Sequence, residues 1–273
     1  MNGITSQLLS LITFGNQYLK TNQLTDNYYP ANTVFKFCNT VDFMHLASHP
    51  DGTTTEKLVA GNPNEWFKLL KQESCRELKA YYHPTEGNNG GTPDHKMAGF
   101  VGGGGNWLIE AIYPSYSDFW AARWQVTRPD DPAQNLWSVN YGRTVHQTET
   151  INFRPDTNEI RKGLQGVLNN IKLFAEQQKL SNWAIIFDKA LQVLQGKAPA
   201  DEWLNQQISK EGYEAEDLQL VYAAMTAHVF GGMGSWNDLG FEKPEDNARY
   251  EDLSFRLYDY INRALIGGIN AIK

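Results

Sequence analysis

Cysteine is scarce in this sequence: Cys38 and Cys75 are the only two. No C-x-x-C pair occurs, so neither a zinc site nor a redox dithiol is encoded, and free thiols in a reducing compartment are the expectation. Also missing is any apolar run near the ~18 residues that a membrane-spanning helix needs. The opening residues, MNGITSQLLSLITFGNQYLK, lack a basic stretch, and Ser10, Thr13, Gly15 and Asn16 break the apolar run. No signal peptide is therefore expected, which makes a cytoplasmic chain the default. Positive charge is in deficit, with 24 Lys and Arg against 31 Asp and Glu, net −7. That balance argues against a nucleic-acid binder, which must neutralise phosphates with a basic footprint. Residues 156–273 hold 17 acidic and 12 basic side chains, net −5, leaving −2 for the first 155. An acidic chain suits a basic partner.

Signatures of catalysis are equally sparse. There is no G-x-S-x-G elbow and no H-E-x-x-H. The glycine runs VGGGG (101–105) and GGMGS (231–235) are not followed by G-K-[ST]. The first feeds a strand pattern and the second follows a helical one, so neither has the loop-then-helix geometry that cradles phosphate. Cys38 or Cys75 beside a histidine has no family-like surround. Any chosen pair of carboxylates among 31 carries no information.

What is present is a globular composition, 41% hydrophobic, with an aromatic share of 12% and eight tryptophans. Ile4, Leu8, Leu11, Ile12 and Leu19 recur at helical spacing and predict a first helix over 3–20. TVFKFCNTVDFMHL (33–46) predicts one or two strands, 64–72 a short helix, and RELKAYYH (76–83) a strand. Residues 84–105 read as a flexible, glycine-rich loop. WLIEAIY (107–113), DFWAARWQV (118–126) and LWSVNYGRTV (136–145) alternate with a period of two and are joined by short turns, which predicts antiparallel pairing. From Pro155 the period becomes 3.6. Asp156 and Glu159 form a D-x-x-E box, and Ser181 is the expected cap of the next helix, with Gly196 closing it. Further helices are expected near 200–208, 214–230 and 247–271. The fold class is thus α+β. An antiparallel β-meander with flanking helices occupies 1–154, and an all-helical bundle occupies 155–273.

Candidate sites divide by chemistry. His83, Glu86, Asp94 and His95 lie in the glycine-rich loop and offer metal ligands. His45 and His49 have an i, i+4 spacing that a strand entering a His-Pro-Asp-Gly turn spoils. His146 and His228 stand alone, and Arg123 and Arg143 read as solvated or paired sheet residues.

The most specific stretch is VFGGMGSWNDLGF (229–241), followed by Asn247 and YEDLSFRLYDYINRALI (250–266). Its residues Phe230 to Asp238 resemble a pattern in small bacterial helical proteins of unknown function, some of them encoded beside polymorphic or secreted toxins, where immunity roles have been proposed. The likeness covers roughly the last 60–110 residues. It implies an immunity-type, non-catalytic protein that binds and neutralises another protein, a basic toxin in particular, with no cofactor. Trp236, Asn237 and Asp238, with the loop around 84–98, are the expected contact residues. In the same motif the glycines suit a helix end and a sharp reversal, Trp236 suits a bundle plug, and Asn237 or Asp238 suits a turn brace. The competing expectation is a metal-dependent hydrolase using His83, Glu86, Asp94 and His95 with His45 or His49. A third is a carbohydrate-binding sheet face built on Trp120, Trp124 and Trp137.

Overall fold

In the computed structural model, which describes residues 3–85, 91–152 and 155–273, the chain opens with α1 (Gly3–Thr21). This helix is buried on nearly every side, its polar residues Gln7, Ser10, Thr13 and Asn16 included. Each of those groups therefore needs a partner inside the protein. Gln7 accepts from the Tyr141 hydroxyl at 3.0 Å and donates to the Val34 carbonyl at 3.2 Å. Thr13 donates back to Leu9 at 3.1 Å.

Six strands follow: β1 (Cys38–Ser48), β2 (Thr54–Ala60), β3 (Glu77–His83), β4 (Asn106–Ile112), β5 (Ser117–Val126) and β6 (Trp137–Thr148). They form one sheet in the order β2-β1-β6-β5-β4-β3. β3 to β6 pair antiparallel in succession, as do β1 and β2, whereas β1 lies parallel to β6. Strand β1 begins later than the 33–46 reading, because residues Thr33–Phe35 form a 3-10 turn capped by the Asn32 side chain. Strand β2 has no counterpart in the sequence reading. Its residues 54–58 are exposed on both faces, so TTEKL shows no alternation to detect. The His-Pro-Asp-Gly segment does turn the chain: Asp51 accepts from the Thr53 amide at 2.9 Å, and Gly52 takes a positive φ of 81°.

Between β2 and β3, α2 (Pro63–Gln72) lays Trp66 onto the sheet. Phe43 stacks on Trp66 with centroids 4.3 Å apart, and on Tyr141 at 5.3 Å, while Trp120 meets Phe43 edge-on at 6.2 Å. Such pairs add about 0.5–1.5 kcal/mol each beyond the area they bury. Trp120 is therefore core and unavailable to a carbohydrate ligand.

The described residues after β6 hold α4 (Thr157–Gln177), α5 (Ser181–Leu194), α6 (Glu202–Asn205), α7 (Ala215–Ala227) and α8 (Pro244–Ile269), with α3 (Asp94–Met97) lying between β3 and β4. Asp156 caps α4 by accepting from the amides of Asn158 and Glu159. Ser181 does not cap α5. The helix starts at Ser181 itself, with Leu180 in the cap position and no side-chain bond. α4 packs on α5 and α8, and α7 on α5 and α8. One buried apolar cluster runs from α1 and the sheet into these helices.

The edge of β3 shows how the chain's two ends close the structure. The Asn16 amide accepts from the Leu78 N–H at 2.7 Å and donates to the Leu78 carbonyl at 2.8 Å. Two residues on, Asn270 does the same for Ala80, both bonds at 2.8 Å. Each amide replaces one residue of a missing neighbouring strand. Removing one strands two backbone groups, at about 1–3 kcal/mol per buried group. Asn16→Ala and Asn270→Ala are each expected to lose about 2–4 kcal/mol in urea unfolding, with Asn16→Ala the worse because its bonds are fully buried.

Candidate functional site

The chain leaves α7 at Ala227 and makes a tight loop over residues 229–238. The Trp236 amide returns to the Val229 carbonyl at 3.2 Å. Gly234 takes φ +82°, and its amide donates to the Asp238 carboxylate. Ser235 Oγ donates to the Gly231 carbonyl at 3.0 Å. The Trp236 indole is fully buried against Trp183, Phe187 and Tyr250, and its Nε1 donates to Ser254 Oγ at 2.7 Å. Of the three expected contact residues, Trp236 is thus a core plug, Asn237 is half-buried and Asp238 is exposed.

Asn237 joins this turn to the glycine-rich loop. Its Nδ2 donates to the His95 carbonyl at 2.9 Å. The His95 ring is buried among Phe230, Phe255 and Tyr258. Lys96 pairs with Glu251 of α8 at 2.6 Å, and the Tyr258 hydroxyl donates to the Gly104 carbonyl at 2.5 Å. The glycines serve close approach. A Cβ on Gly99 would sit 2.3 Å from the Gly231 carbonyl oxygen, and one on Gly105 would sit 2.3 Å from the Tyr82 ring. Residues 91–105 are therefore a packed cover with a short helix inside, in contrast to the flexible loop their composition suggests. Composition reports glycine; it does not report what presses against it.

Around this backbone junction several large apolar side chains face solvent. Phe100 is 63% exposed, Phe255 is 60% exposed, and Val101 and Met233 are also exposed. Phe100 follows Gly99, Met233 follows Gly232, and Phe255 meets the His95 ring, so all of them ring the contact between the two loops. The sequence through the turn and the first half of α8 is rich in acid. Residues 230–259 carry Asp238, Glu242, Glu245, Asp246, Glu251, Asp252 and Asp259 against Lys243, Arg249 and Arg256.

The proposed metal ligands are not brought together. Asp94 accepts from the Tyr82 hydroxyl and the Thr85 amide, each at 3.0 Å, and from the Thr85 hydroxyl. His83 is exposed with Nδ1 at 2.8 Å from the Pro84 carbonyl, and His95 is buried among rings. Glu86 lies outside the described residues. Among the described residues no group of three or more His, Cys, Asp or Glu side chains is placed to hold a metal ion.

One polar cluster escaped the sequence reading. Asp118, 1% exposed, accepts from Arg143 at 3.1 Å, from His146 Nδ1 at 2.9 Å and from the Gln147 amide at 2.8 Å. His146 is therefore partnered, and Arg143 is paired as expected. So is Arg123, which forks onto Glu56 at 2.6 and 2.9 Å. The only signal for the Asp118 cluster was an acid at the start of a strand. His45 sits beside it. Burial first, then the positive Arg143 and His146, push its imidazole down to about 4.

No family model matches the chain, and searches of curated proteins and of solved structures return no match.

Burial also holds His228 well below the usual imidazole range, and lowers His95 despite the nearby Glu251 carboxylate. A folded imidazole that resists its proton destabilises the fold once the unfolded chain can take one. Stability is therefore expected to hold above pH ~6.5, the ordinary imidazole value, and to fall as pH drops below it. The contribution of His45 should level off below about 4. Urea midpoints at pH 7.5, 6 and 5 measure this, and His228→Gln should flatten the slope.

Gly99→Ala is expected to lift residues 91–105 off the 229–238 turn. Hydrogen exchange should quicken in both segments, at a cost of about 1–3 kcal/mol.

Proposed function

We propose that this protein is a non-catalytic, immunity-type inhibitor that binds and neutralises another protein, using the junction of residues 91–105 with the 229–238 turn. The observation that carries the reading is the group of exposed Phe100, Val101, Met233 and Phe255, two of them within the acid-rich stretch 230–259. Scattered exposed apolar residues are ordinary, but a cluster of them with a charged rim suits a protein interface. The apolar side chains supply affinity as anchors, and the carboxylates steer and orient a basic partner. Asp238 belongs to that stretch, and Asn237 holds the two loops in register. Trp236 acts behind the surface by fixing the turn.

In this reading a sheet-bearing half built on an antiparallel meander (residues 1–154) and a helical half (155–273) each supply one loop to the interface. The partner is a basic, toxin-like protein met in the cytoplasm. The likeness of the 229–241 stretch to immunity proteins encoded beside toxins points the same way. No helix among the described residues is long and apolar enough to cross a membrane.

The test is retention of a stoichiometric partner from native cell extract, comparing the wild-type chain with Phe100→Glu/Met233→Glu. The wild type is expected to retain a basic protein whose activity it suppresses. The double variant should keep its melting temperature and bind about 10- to 1000-fold more weakly, the range of hot-spot losses. Higher salt should slow association more than it speeds release. An unchanged affinity in the double variant would place the interface elsewhere, and a retained protein that is not inhibited would end the immunity reading.

A further inference from the structure

A cavity of about 370 Å³ opens where β3 and β4 meet the segment after β6 and the C-terminal end of α8. Lys79, Tyr81, Tyr82, Glu110, Ile151 and Ile266 line it. Its size is that of a small-ligand pocket, ~300–1,000 Å³.

Two of its charges are incompletely used. Glu110 is 2% exposed, and its Oε1 accepts from the Ile151 amide at 3.0 Å. Among the described residues no hydrogen bond or ion pair reaches its second oxygen, which leaves one side of the carboxylate open to the cavity. Burying such a group is costly unless something pairs with it. Lys79 stands directly opposite Glu110 in the β3–β4 register, so both side chains project from the same face of the sheet. Yet among the described residues the two form no ion pair with each other, and the Lys79 ammonium pairs instead with Glu77 at 3.6 Å. An anion and a cation thus face one cavity without closing on each other, between the apolar walls of Tyr81, Ile151 and Ile266.

We propose that this cavity binds a free α-amino acid. The ligand's ammonium pairs with the open oxygen of Glu110, its carboxylate pairs with Lys79, and its side chain lies against Tyr81 and Ile266. A zwitterion matches the cavity because it satisfies both charges at once, whereas a simple amine or a simple acid leaves one of them stranded. The site is separate from the two-loop junction, and it stands or falls without the inhibitor reading.

Calorimetric titration of the full chain with the common L-amino acids tests this. L-leucine is accompanied by isoamylamine and 4-methylvalerate, which lack its carboxylate and its ammonium respectively. At least one apolar amino acid is expected to bind saturably, and a leucine signal should weaken about 10- to 100-fold in each analogue, as for a lost charge-assisted bond. Glu110→Gln keeps an acceptor for the Ile151 amide, and should lose affinity by a similar factor at an unchanged melting temperature. Lys79→Met should do likewise. Should Glu110→Gln fail to fold, Lys79→Met and the analogue pair decide the matter. The proposal is overturned if the folded wild-type chain shows no saturable heat with any amino acid up to about 10 mM, a concentration that would reveal even millimolar affinity. Equal binding of isoamylamine and leucine overturns it as well, as does affinity indifferent to Glu110→Gln.

Discussion

A sheet must end somewhere, and the N–H and C=O groups of its last strand must go somewhere. In this protein that demand is met at Leu78 and Ala80 by two asparagine amides, one from the first helix and one just past the last. Much of the architecture follows. For Asn16 to reach β3, α1 must lie deep against the sheet, which is why Gln7, Ser10 and Thr13 are buried and need internal partners. For Asn270 to reach the same edge, the long α8 must run down to it, which brings that helix against β3. A strand edge that invites aggregation becomes the seam joining the chain's ends.

The same α8 organises the surface. Near its start Glu251, Phe255 and Tyr258, at helical spacing, hold the glycine-rich loop through Lys96, the His95 ring and the Gly104 carbonyl. Near its end Ile266 walls the cavity that holds Glu110. Rigid helices are good mounts for recognition because they fix side chains that loops would leave mobile. Here the two loops borrow that rigidity, since residues 91–105 and 229–238 are tied to α8 and to each other by named bonds. An exposed apolar surface on such a mount loses little conformational entropy when a partner covers it.

Much of this was legible wherever a pattern depends on neighbours in the chain. The helical periods, the cap at Asp156, the turn at Asp51–Gly52 and the left-handed Gly196 are local, and local chemistry writes them plainly. The turn braces from Asn237 to Gly231 and from Gly234 to Asp238 were readable for the same reason, whereas the Asn237 bond to His95 joins residues far apart in sequence. Long-range facts were hidden. Strand β2 is exposed on both faces and leaves no alternation, and its partner β1 also pairs parallel with β6, nearly a hundred residues away in sequence. The asparagines at 16 and 270 look like ordinary polar residues until a strand edge arrives beside them. Glu110 and Asp118 sit within runs that read as apolar strands, and only the fold shows that one faces a cavity while the other gathers an arginine and a histidine.

Tryptophan shows how burial separates structural residues from recognition residues. An aromatic-rich sheet first suggests a stacking face, but Trp66 and Trp120 are spent on the core, as Trp236 is in the bundle. Among the rings left at the surface, Phe100 lies on the two-loop junction and Phe255 on α8, with Phe37 and Trp203 exposed elsewhere. Phenylalanine has no polar atom to satisfy, so leaving Phe100 and Phe255 largely in water costs apolar exposure, offset at Phe255 by its contact with the His95 ring. In the proposed inhibitor reading a partner covers that exposure, and the carboxylates of residues 230–259 orient it.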